Sequence, residues 1–242
     1  MEHTARIVAH RGCSGHAPEN TLAAFQLAAD DARICRVELD VQQSRDGIPV
    51  VIHDFKLKRT TGASGSVKDY TYKELGALDN GAWFAEQYRG EVIPTLESVL
   101  LRFGGRFKFN IEIKTAPGLY AGLERSVASL IAQLGLIDDI IVTSFDYKSL
   151  VRMKQAEPRL STGLIASGWP VMLGEQLQST GASFISLEHS HITSALAAAW
   201  LDRDIGMMAW TANHSADIRR ALSLHPKLLV CTNYPDRAFA EL

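Results

Sequence analysis

Short apolar segments alternate with amphipathic segments along most of this 242-residue sequence, and this alternation limits the possible folds more than any other feature. Eight segments have the length and apolar content of buried strands: 7–9, 35–41, 108–113, 140–143, 162–165, 184–187, 206–210 and 228–231. Helical patterns lie between and after them, at 22–30, 95–103, 119–134, 147–156, 171–179, 195–201, 215–224 and 235–240. Short apolar strands separated by helices pair in parallel and are buried on both faces. Eight such units in about 250 residues predict an α/β fold, a TIM (β/α)8 barrel, with a doubly wound open sheet as the alternative.

Residues 43–93 interrupt the alternation after the second strand. The turn residues Asp46 and Gly47 precede a short apolar run at 50–52, which predicts a hairpin. A loop rich in Gly, Ser and Thr follows at 60–66, and an aromatic pair lies at 83–84. Composition does not change enough across this segment to define a second domain. We therefore expect one domain over residues 1–242, with a single insertion at 43–93.

The charge balance argues against a general affinity for nucleic acid. Twenty-five basic and 27 acidic side chains leave a formal net charge of -2, so no broad positive field surrounds the protein. Cys13, Cys35 and Cys231 are far apart, predict neither a disulfide framework nor a zinc site, and fit a reducing compartment. No apolar run reaches the roughly 20 residues of a membrane span, and the polar N-terminus leaves no room for a signal peptide. These features predict a cytoplasmic protein without stable membrane association.

Three acidic side chains occur in the second and third predicted barrel strands. Glu38 and Asp40 are two residues apart and share one face of their strand, as do Glu112 and Lys114 in the next. Because these strands are neighbours in the predicted barrel, the three carboxylates converge near one point. Burying three like charges is costly unless a cation neutralises them, and oxygen ligands select Mg²⁺ or Ca²⁺ over zinc. The pattern leaves two explanations open: one divalent cation, or ordinary salt bridges with Lys114 or Arg36.

The net charge of this cluster indicates the kind of ligand that it accepts. With Arg11 and Lys114 at the same end of the barrel, the three carboxylates keep one uncompensated negative charge. A divalent cation changes that sum to one positive charge, which suits a monoanionic phosphodiester, whereas the metal-free site repels it. Glu19, where it faces the site, lowers each sum by one.

Histidine side chains are the candidates for proton transfer, because their pKa lies near neutrality. His10 ends the first predicted strand, and His53 ends the hairpin that opens the insertion. On either side of a phosphorus–oxygen bond, one ring can deprotonate the nucleophile and the other can protonate the leaving oxygen. Position alone does not select this pair, because four further histidines are predicted near the same rim: His16, His189, His191 and His214.

Nine short motifs follow one another along the chain: AHRG at 9–12, APENT at 17–21, ELD at 38–40, DGIPVVIHD at 46–54, TTG at 60–62, IPTLE at 93–97, NIEIK at 110–114, SFD at 144–146 and WTAN at 210–213. Each motif alone is weak, but the ordered set is specific and covers the chain almost from end to end. The set resembles the glycerophosphodiester phosphodiesterase family, and the short cytoplasmic bacterial members are closest in length.

The resemblance implies a TIM barrel with an insertion after its second strand. It also implies metal-dependent hydrolysis of glycerophosphodiesters, such as glycerophosphocholine, to glycerol 3-phosphate and an alcohol. The residues implied to function are the metal ligands Glu38, Asp40 and Glu112, the acid/base pair His10 and His53, the phosphate contacts Arg11 and Lys114, the neighbouring Glu19, and Trp210 in the wall of the glycerol pocket. Trp210 fits equally well as a core aromatic residue.

Two positions depart from the family pattern. The last strand ends in Thr232 and Asn233, where the family usually has Thr-Asp, so no carboxylate role is expected there. Residues 33–36, before the second strand, lack the usual Gly-Ala-Asp. The first departure affects the rim of the barrel and the second the base of a strand, so we expect activity to survive both.

Two other functions and two mechanistic choices stay open. A phospholipase C-like or D-like phosphodiesterase that acts on intact lipid usually needs an apolar rim facing the membrane, which the sequence does not indicate. A catalytically silent barrel that binds a phosphodiester has no need of both histidines and all three carboxylates. Either histidine can be the base, and the nucleophile is water or the glycerol 2-hydroxyl.

Overall fold

The computed structural model describes residues 4–242, and this part of the chain forms nine strands and ten α-helices. The strands are β1 (Ile7–His10), β2 (Arg36–Gln43), β3 (Pro49–Val51), β4 (Lys108–Ile113), β5 (Ile140–Ser144), β6 (Ser161–Ala166), β7 (Phe184–Glu188), β8 (Gly206–Trp210) and β9 (Leu229–Thr232). The helices are α1 (Leu22–Asp30), α2 (Lys58–Thr61), α3 (Tyr72–Leu75), α4 (Leu96–Phe103), α5 (Leu123–Gln133), α6 (Tyr147–Ala156), α7 (Leu173–Thr180), α8 (Ser194–Leu201), α9 (Ser215–Leu224) and α10 (Pro235–Phe239).

Eight of these strands close into a parallel barrel. Along the barrel the order is β1, β2, β4, β5, β6, β7, β8 and β9, and β9 pairs again with β1. Because β1 has a parallel partner on each side, the sheet has no free edge there, which excludes the doubly wound alternative. The TIM-barrel prediction is therefore confirmed. The ninth strand, β3, lies outside the barrel and pairs antiparallel with the end of β2.

Side-chain oxygens cap the N-termini of several helices. Thr21, Thr95 and Thr193 each accept a hydrogen bond from the backbone N–H three residues later, at the N-termini of α1, α4 and α8. Asn20 and Thr21 both have side chains that can cap a helix at this point, and in the structure Thr21 is the cap of α1. This choice leaves the side chain of Asn20 available for another partner.

Two helices begin later than predicted because of the backbone conformation of the residue before each of them. The pattern places the start of the third predicted helix at residue 119, but the corresponding helix α5 begins only after Gly122, which has a left-handed φ of 85°. Likewise α7 begins at Leu173 rather than 171, since Met172 has a left-handed φ of 54°. The loop predicted at 60–66 is also shorter, because α2 includes its first two residues.

The barrel strands are apolar on their outer face and mixed on their inner face. Outward side chains such as Leu39 and Ile111 are fully buried under the helices. Inside the barrel, Val8, Phe184 and Met208 belong to a small apolar cluster, together with Cys231. The polar inward residues follow them toward the carboxyl ends of the strands, where TIM-barrel sites lie. The inside of the barrel is therefore apolar around this cluster and polar at the end where the strands terminate.

Residues between β2 and α4 have an apolar cluster of their own, formed by Val50, Ile52, Leu57, Val67, Leu75 and Ile93. Hydrogen bonds tie this segment to the loop between β1 and α1 and to the first turn of α1. The Tyr88 hydroxyl donates to the His16 carbonyl at 2.8 Å, and the Glu91 carboxylate accepts from the Ala23 N–H at 3.3 Å. The segment therefore holds His53 at the same end of the barrel as His10.

Candidate active site

A cavity of about 190 Å³ opens at the carboxyl ends of the barrel strands. Seven of the nine predicted site residues line it: His10, Arg11, Glu38, His53, Glu112, Lys114 and Trp210. The other two, Glu19 and Asp40, lie beside it and contact Arg11. The structure therefore brings all nine positions to one place. The other rim histidines, at positions 16, 189, 191 and 214, are not among the residues that line this cavity.

Strand register brings the three carboxylates together. Asp40 in β2 lies opposite Glu112 in β4, and alternation places Glu38 on the same inward face. One oxygen from each carboxylate lies within 4.8 Å of the other two. Glu38 and Asp40 are 3% and 0% exposed, and the Oδ1 atom of Asp40 has no hydrogen-bond partner. A buried, partly unpartnered set of carboxylate oxygens has the donor chemistry of a hard divalent cation.

Burial and mutual repulsion perturb these groups. Burial, together with the neighbouring Asp40 carboxylate, raises the pKa of Glu38 well above its ordinary value. The same two causes raise the pKa of Glu112 to about 7, against the opposing effect of Lys114. Burial also disfavours ionised Asp40, but the positive charges around it, that of Arg11 foremost, together outweigh burial and lower the pKa of Asp40. Without a cation the cluster is therefore difficult to ionise fully.

Arg11 lies between two acidic side chains. Its Nη1 atom donates to Glu19 Oε1 at 2.8 Å, and its Nε atom is 3.1 Å from Asp40 Oδ2. The Arg11 backbone has a left-handed φ of 54°, and its N–H donates to Glu38 Oε2 at 3.1 Å. Gly12, with a φ of 79°, continues this turn against α1. The turn places both the backbone and the guanidinium of Arg11 at the cavity.

Lys114 follows directly after β4 and joins three site residues. Its ammonium donates to Glu112 Oε1 at 2.8 Å, lies 3.2 Å from His53 Nε2 and is 3.9 Å from Asp40 Oδ1. An ammonium can only donate, so His53 Nε2 acts as the acceptor. The neighbouring carboxylates raise the pKa of Lys114 despite its burial, and it stays charged at neutral pH.

The two predicted catalytic histidines have matching arrangements. His10 Nδ1 lies 2.6 Å from Asn233 Oδ1, and His53 Nδ1 lies 2.7 Å from Asp54 Oδ1. Each ring therefore donates from Nδ1 and keeps Nε2 unprotonated in its neutral form. Burial, with the nearby charge of Arg11, lowers the pKa of His10 to about 4. Burial also lowers the pKa of His53, so both rings are neutral at pH 7.

An aromatic pair forms the apolar wall of the cavity. Trp210 and Phe145 both line it, with ring centroids 5.9 Å apart in an edge-to-face arrangement. The indole N–H of Trp210 has no hydrogen-bond partner in the protein. Trp210 is thus part of the cavity wall rather than of the closed core.

Sequence reasoning missed several residues that complete the site. Asn20 donates to Asp40 Oδ2 at 2.8 Å, and it has a left-handed φ of 59° that asparagine tolerates. Asp54 and Arg59 support the site from the insertion. The His-Asp dipeptide at 53–54 was a usable signal for Asp54, because a carboxylate beside a histidine commonly orients it. Nothing local to positions 20 or 59 indicates their partners.

Comparison with known proteins agrees with this geometry. The sequence model of the glycerophosphoryl diester phosphodiesterase family matches residues 10–237. The chain belongs to this family of phosphoric diester hydrolases. The resemblance drawn from the nine motifs is therefore confirmed. None of the helices within residues 4–242 is long and apolar enough to cross a membrane.

Glycerophosphodiester phosphodiesterases of known sequence align with nearly the whole chain. The enzyme of Caldanaerobacter subterraneus subsp. tengcongensis is 35% identical, with 89% of each chain covered. The enzyme of Bacillus altitudinis is 34% identical, with 96% of each chain covered. Among solved structures, an Oleispira antarctica phosphodiesterase in complex with the product sn-glycerol-3-phosphate is 30% identical with a TM-score of 0.85. That alignment covers 98% of this chain and 96% of the other.

Proposed function

We propose that this chain hydrolyses glycerophosphodiesters to glycerol 3-phosphate and an alcohol, using one divalent cation and two histidines. The observation that carries the proposal is the convergence of three carboxylates, two cationic side chains and two histidines on one cavity. Family membership and the product complex of the Oleispira antarctica relative support the same substrate class. The active unit is one barrel domain over residues 1–242, in which residues 43–93 form an insertion.

Glu38, Asp40 and Glu112 are the residues that would hold the cation. They fit it because their oxygens are close together and buried, and because Asp40 Oδ1 lacks a hydrogen-bond partner. When bound, Mg²⁺ or Ca²⁺ supplies Lewis-acid polarisation of the phosphoryl oxygens. Asn20 limits the rotation of the Asp40 carboxylate by donating to its Oδ2 atom.

Arg11 and Lys114 supply the positive charge that binds the phosphoryl group. Both line the cavity, and carboxylates hold both side chains in place. Donors fixed in advance stabilise the charge that grows on the phosphoryl oxygens in the transition state. Glu19 acts here by positioning Arg11, and Trp210 provides an apolar wall and an unpartnered N–H for the glycerol part.

His10 and His53 move the protons. Each presents an unprotonated Nε2, because its Nδ1–H is committed to Asn233 or Asp54. One ring accepts the proton of the attacking hydroxyl at its Nε2 atom. The other takes up a proton from solvent at Nε2 before the step and delivers it to the leaving oxygen as the phosphorus–oxygen bond breaks, and the first ring then returns its proton to solvent. The attacking hydroxyl is that of water, or the glycerol 2-hydroxyl, which produces a cyclic phosphate that water then opens. A cyclic glycerol phosphate seen by ³¹P NMR during turnover distinguishes the second route.

The deciding experiment measures glycerol 3-phosphate release from a panel of glycerophosphodiesters, with and without a chelator. The panel contains glycerophosphocholine, glycerophosphoethanolamine, glycerophosphoglycerol and glycerophosphoinositol. We expect release that stops with chelator and returns with Mg²⁺ or Ca²⁺. Tight binding of every substrate without release would instead identify a phosphodiester-binding barrel and refute the proposal.

One observation favours a second candidate function, hydrolysis of a phosphodiester that carries acyl chains. The loop between β6 and α7 exposes Trp169, Val171 and Met172, which are 64%, 75% and 63% exposed. This loop follows a barrel strand and so belongs to the same end of the barrel as the cavity. Adding phosphatidylcholine and lysophosphatidylcholine to the panel tests this candidate. Faster turnover of either lipid than of glycerophosphocholine would favour it.

A further inference from the structure

Arg59, in the short helix α2, joins two acidic side chains on different loops. Its Nε and Nη2 atoms donate to Asp54 at 2.7 and 3.0 Å, and its Nη1 and Nη2 atoms donate to Glu19 at 2.8 and 2.7 Å. All four hydrogen bonds are short, and they use both edges of the guanidinium. Glu19 lies in the loop between β1 and α1, whereas Asp54 follows β3.

Each of these carboxylates contacts a residue that the proposed reaction uses. Asp54 accepts the Nδ1–H of His53 at 2.7 Å, and Glu19 accepts from Nη1 of Arg11 at 2.8 Å. Arg59 itself is not among the residues that line the cavity. Arg59 is therefore separated from His53 by one residue, Asp54, and from Arg11 by one residue, Glu19.

We propose that Arg59 is a positioning residue that orients His53 through Asp54 and Arg11 through Glu19. This inference rests on the proposed function, because His53 and Arg11 matter only where the phosphodiester reacts. The proposal also gives the insertion a structural role. Through Arg59, the insertion sets the distance between Glu19 in the β1–α1 loop and the hairpin that carries His53.

The chemistry of the contact requires an arginine. A planar guanidinium offers two N–H pairs at a fixed angle, so it can hold two carboxylates in one geometry. A lysine ammonium is a single point charge and cannot fix both orientations at once. Hydrogen bonds from Arg59 are also the main reason that the pKa of Asp54 is lowered to about 2. Asp54 is therefore a carboxylate, the form that accepts the His53 Nδ1–H, throughout the neutral range.

If Arg59 only stabilised the fold, its removal would lower the melting temperature and change turnover little. The Arg59 side chain is 41% exposed, and ion pairs with that exposure contribute little to folding stability. Its guanidinium carbon lies 5.7 Å from the ring centroid of Trp83. Removal of the guanidinium should therefore change turnover much more than it changes the melting temperature.

The kinetic test compares Arg59→Met and Arg59→Lys with Arg45→Met. Arg45 lies in the same insertion, and it bonds the Glu74 carboxylate and the Asp69 carbonyl without contacting the site. We expect Arg59→Met to lower kcat about tenfold or more, since a small misplacement of catalytic groups has effects of that size. Arg59→Lys should recover only a small part of the loss, and Arg45→Met should keep the wild-type rate. A wild-type rate in Arg59→Met or Arg59→Lys overturns the proposal.

A second measurement reads the orientation of His53 without turnover. ¹⁵N NMR at pH 8, with the His53 signals assigned from a His53→Ala spectrum, reports which ring nitrogen carries the proton and how fast that proton exchanges with water. In the wild type we expect slow exchange of the Nδ1 proton with water, because Asp54 holds it, and in Arg59→Met faster exchange of that proton, while Lys114 keeps Nε2 as the acceptor in both. An unchanged exchange rate in Arg59→Met overturns the positioning of His53. If the wild type releases no glycerol 3-phosphate, the proposed function fails, and this spectrum still decides whether Arg59 orients His53.

Discussion

The Nδ1 atom of His10 lies 2.6 Å from the side-chain oxygen of Asn233. This contact joins the end of β1 to the residue after β9, across the seam where the barrel closes. It leaves His10 Nε2 directed into the site, 3.7 Å from Glu38 Oε2. Asn233 stands where the family usually has an aspartate. It still offers His10 an acceptor oxygen and lacks only the negative charge of the aspartate.

Removing that acceptor should slow the reaction. We expect Asn233→Ala to lower kcat about tenfold or more, because the His10 ring loses the partner that sets its tautomer and direction. Asn233→Asp keeps an acceptor oxygen and should stay within a few-fold of wild type. Steady-state release of glycerol 3-phosphate measures both. Equal rates for Asn233→Ala and the wild type would show that His10 needs no orienting partner.

Removal of either catalytic histidine should abolish most turnover and leave the fold intact. General acid–base catalysis contributes about 10²–10⁴-fold, so His10→Ala and His53→Ala should each lose a factor in that range. The control is His214→Ala, which removes an exposed histidine at the N-terminus of α9 that lines no part of the cavity. Circular dichroism checks folding. Wild-type rates in both catalytic variants would refute the two-histidine assignment.

A divalent cation should stabilise the protein as well as activate it. A ligand at about 100 times its Kd adds about 2.7 kcal/mol to the free energy of unfolding. At roughly 2–4 °C per kcal/mol for a chain of this size, that raises the melting temperature by about 5–10 °C. Excess chelator should reverse the shift.

The double variant Glu38→Gln/Glu112→Gln is the matched control for this shift. Burial raises the pKa of both carboxyl groups, so their neutral amide replacements should not unfold the cation-free protein. We expect the variant to melt at a temperature that Mg²⁺ and Ca²⁺ do not change. A cation-induced shift as large as that of the wild type would place the cation elsewhere.

Gly12 should be far less tolerant of substitution than Gly47, although both have a left-handed φ, of 79° and 87°. A Cβ at Gly12 would lie 2.6 Å from the carbonyl carbon of Ala24, whereas nothing lies within 4 Å of one at Gly47. Conformational strain costs each alanine variant about 1–2 kcal/mol. Gly12→Ala should lose more than Gly47→Ala in denaturant unfolding, because α1 must also shift. Equal losses would mean that this turn has room to adjust.

Asp54 should make the protein sensitive to acid. Hydrogen bonds from Arg59 lower its folded-state pKa to about 2, below the ordinary value near 4. Because the folded-state value is the lower one, the stabilisation is complete above about pH 4 and disappears as the pH falls toward 2. The pair is partly exposed, so the effect is less than about 1 kcal/mol. The melting-temperature difference between wild type and Asp54→Asn should therefore narrow over this interval.

The control for the acid experiment is Asp204→Asn, whose side chain in the wild type is 93% exposed. The difference in melting temperature between Asp204→Asn and the wild type should stay constant between pH 5 and pH 2.5, whereas the difference for Asp54→Asn should narrow. If the difference for Asp54→Asn is constant over this range, the ion pair with Arg59 contributes nothing to folding stability.

Local periodicity was sufficient to predict the barrel and the centre of the site. Strand and helix patterns depend on backbone geometry within a few residues, so eight alternating units could be recognised directly. The same holds for Glu38 and Asp40, whose spacing of two places them on one strand face. Adjacency of β2 and β4 then follows from the barrel order, and it brings Glu112 opposite Asp40.

Contacts between distant loops were decided only by the tertiary structure. Asn20 is an equally good helix cap by local criteria, yet it donates to Asp40, and Thr21 takes the cap. Arg59 and Glu19 are 40 residues apart, and His10 and Asn233 are 223 apart. No spacing rule covers such pairs, because their approach depends on how the insertion packs and where the barrel closes. The sequence by itself therefore determined the barrel and the strand faces, and only folding decided which side chains support the residues on them.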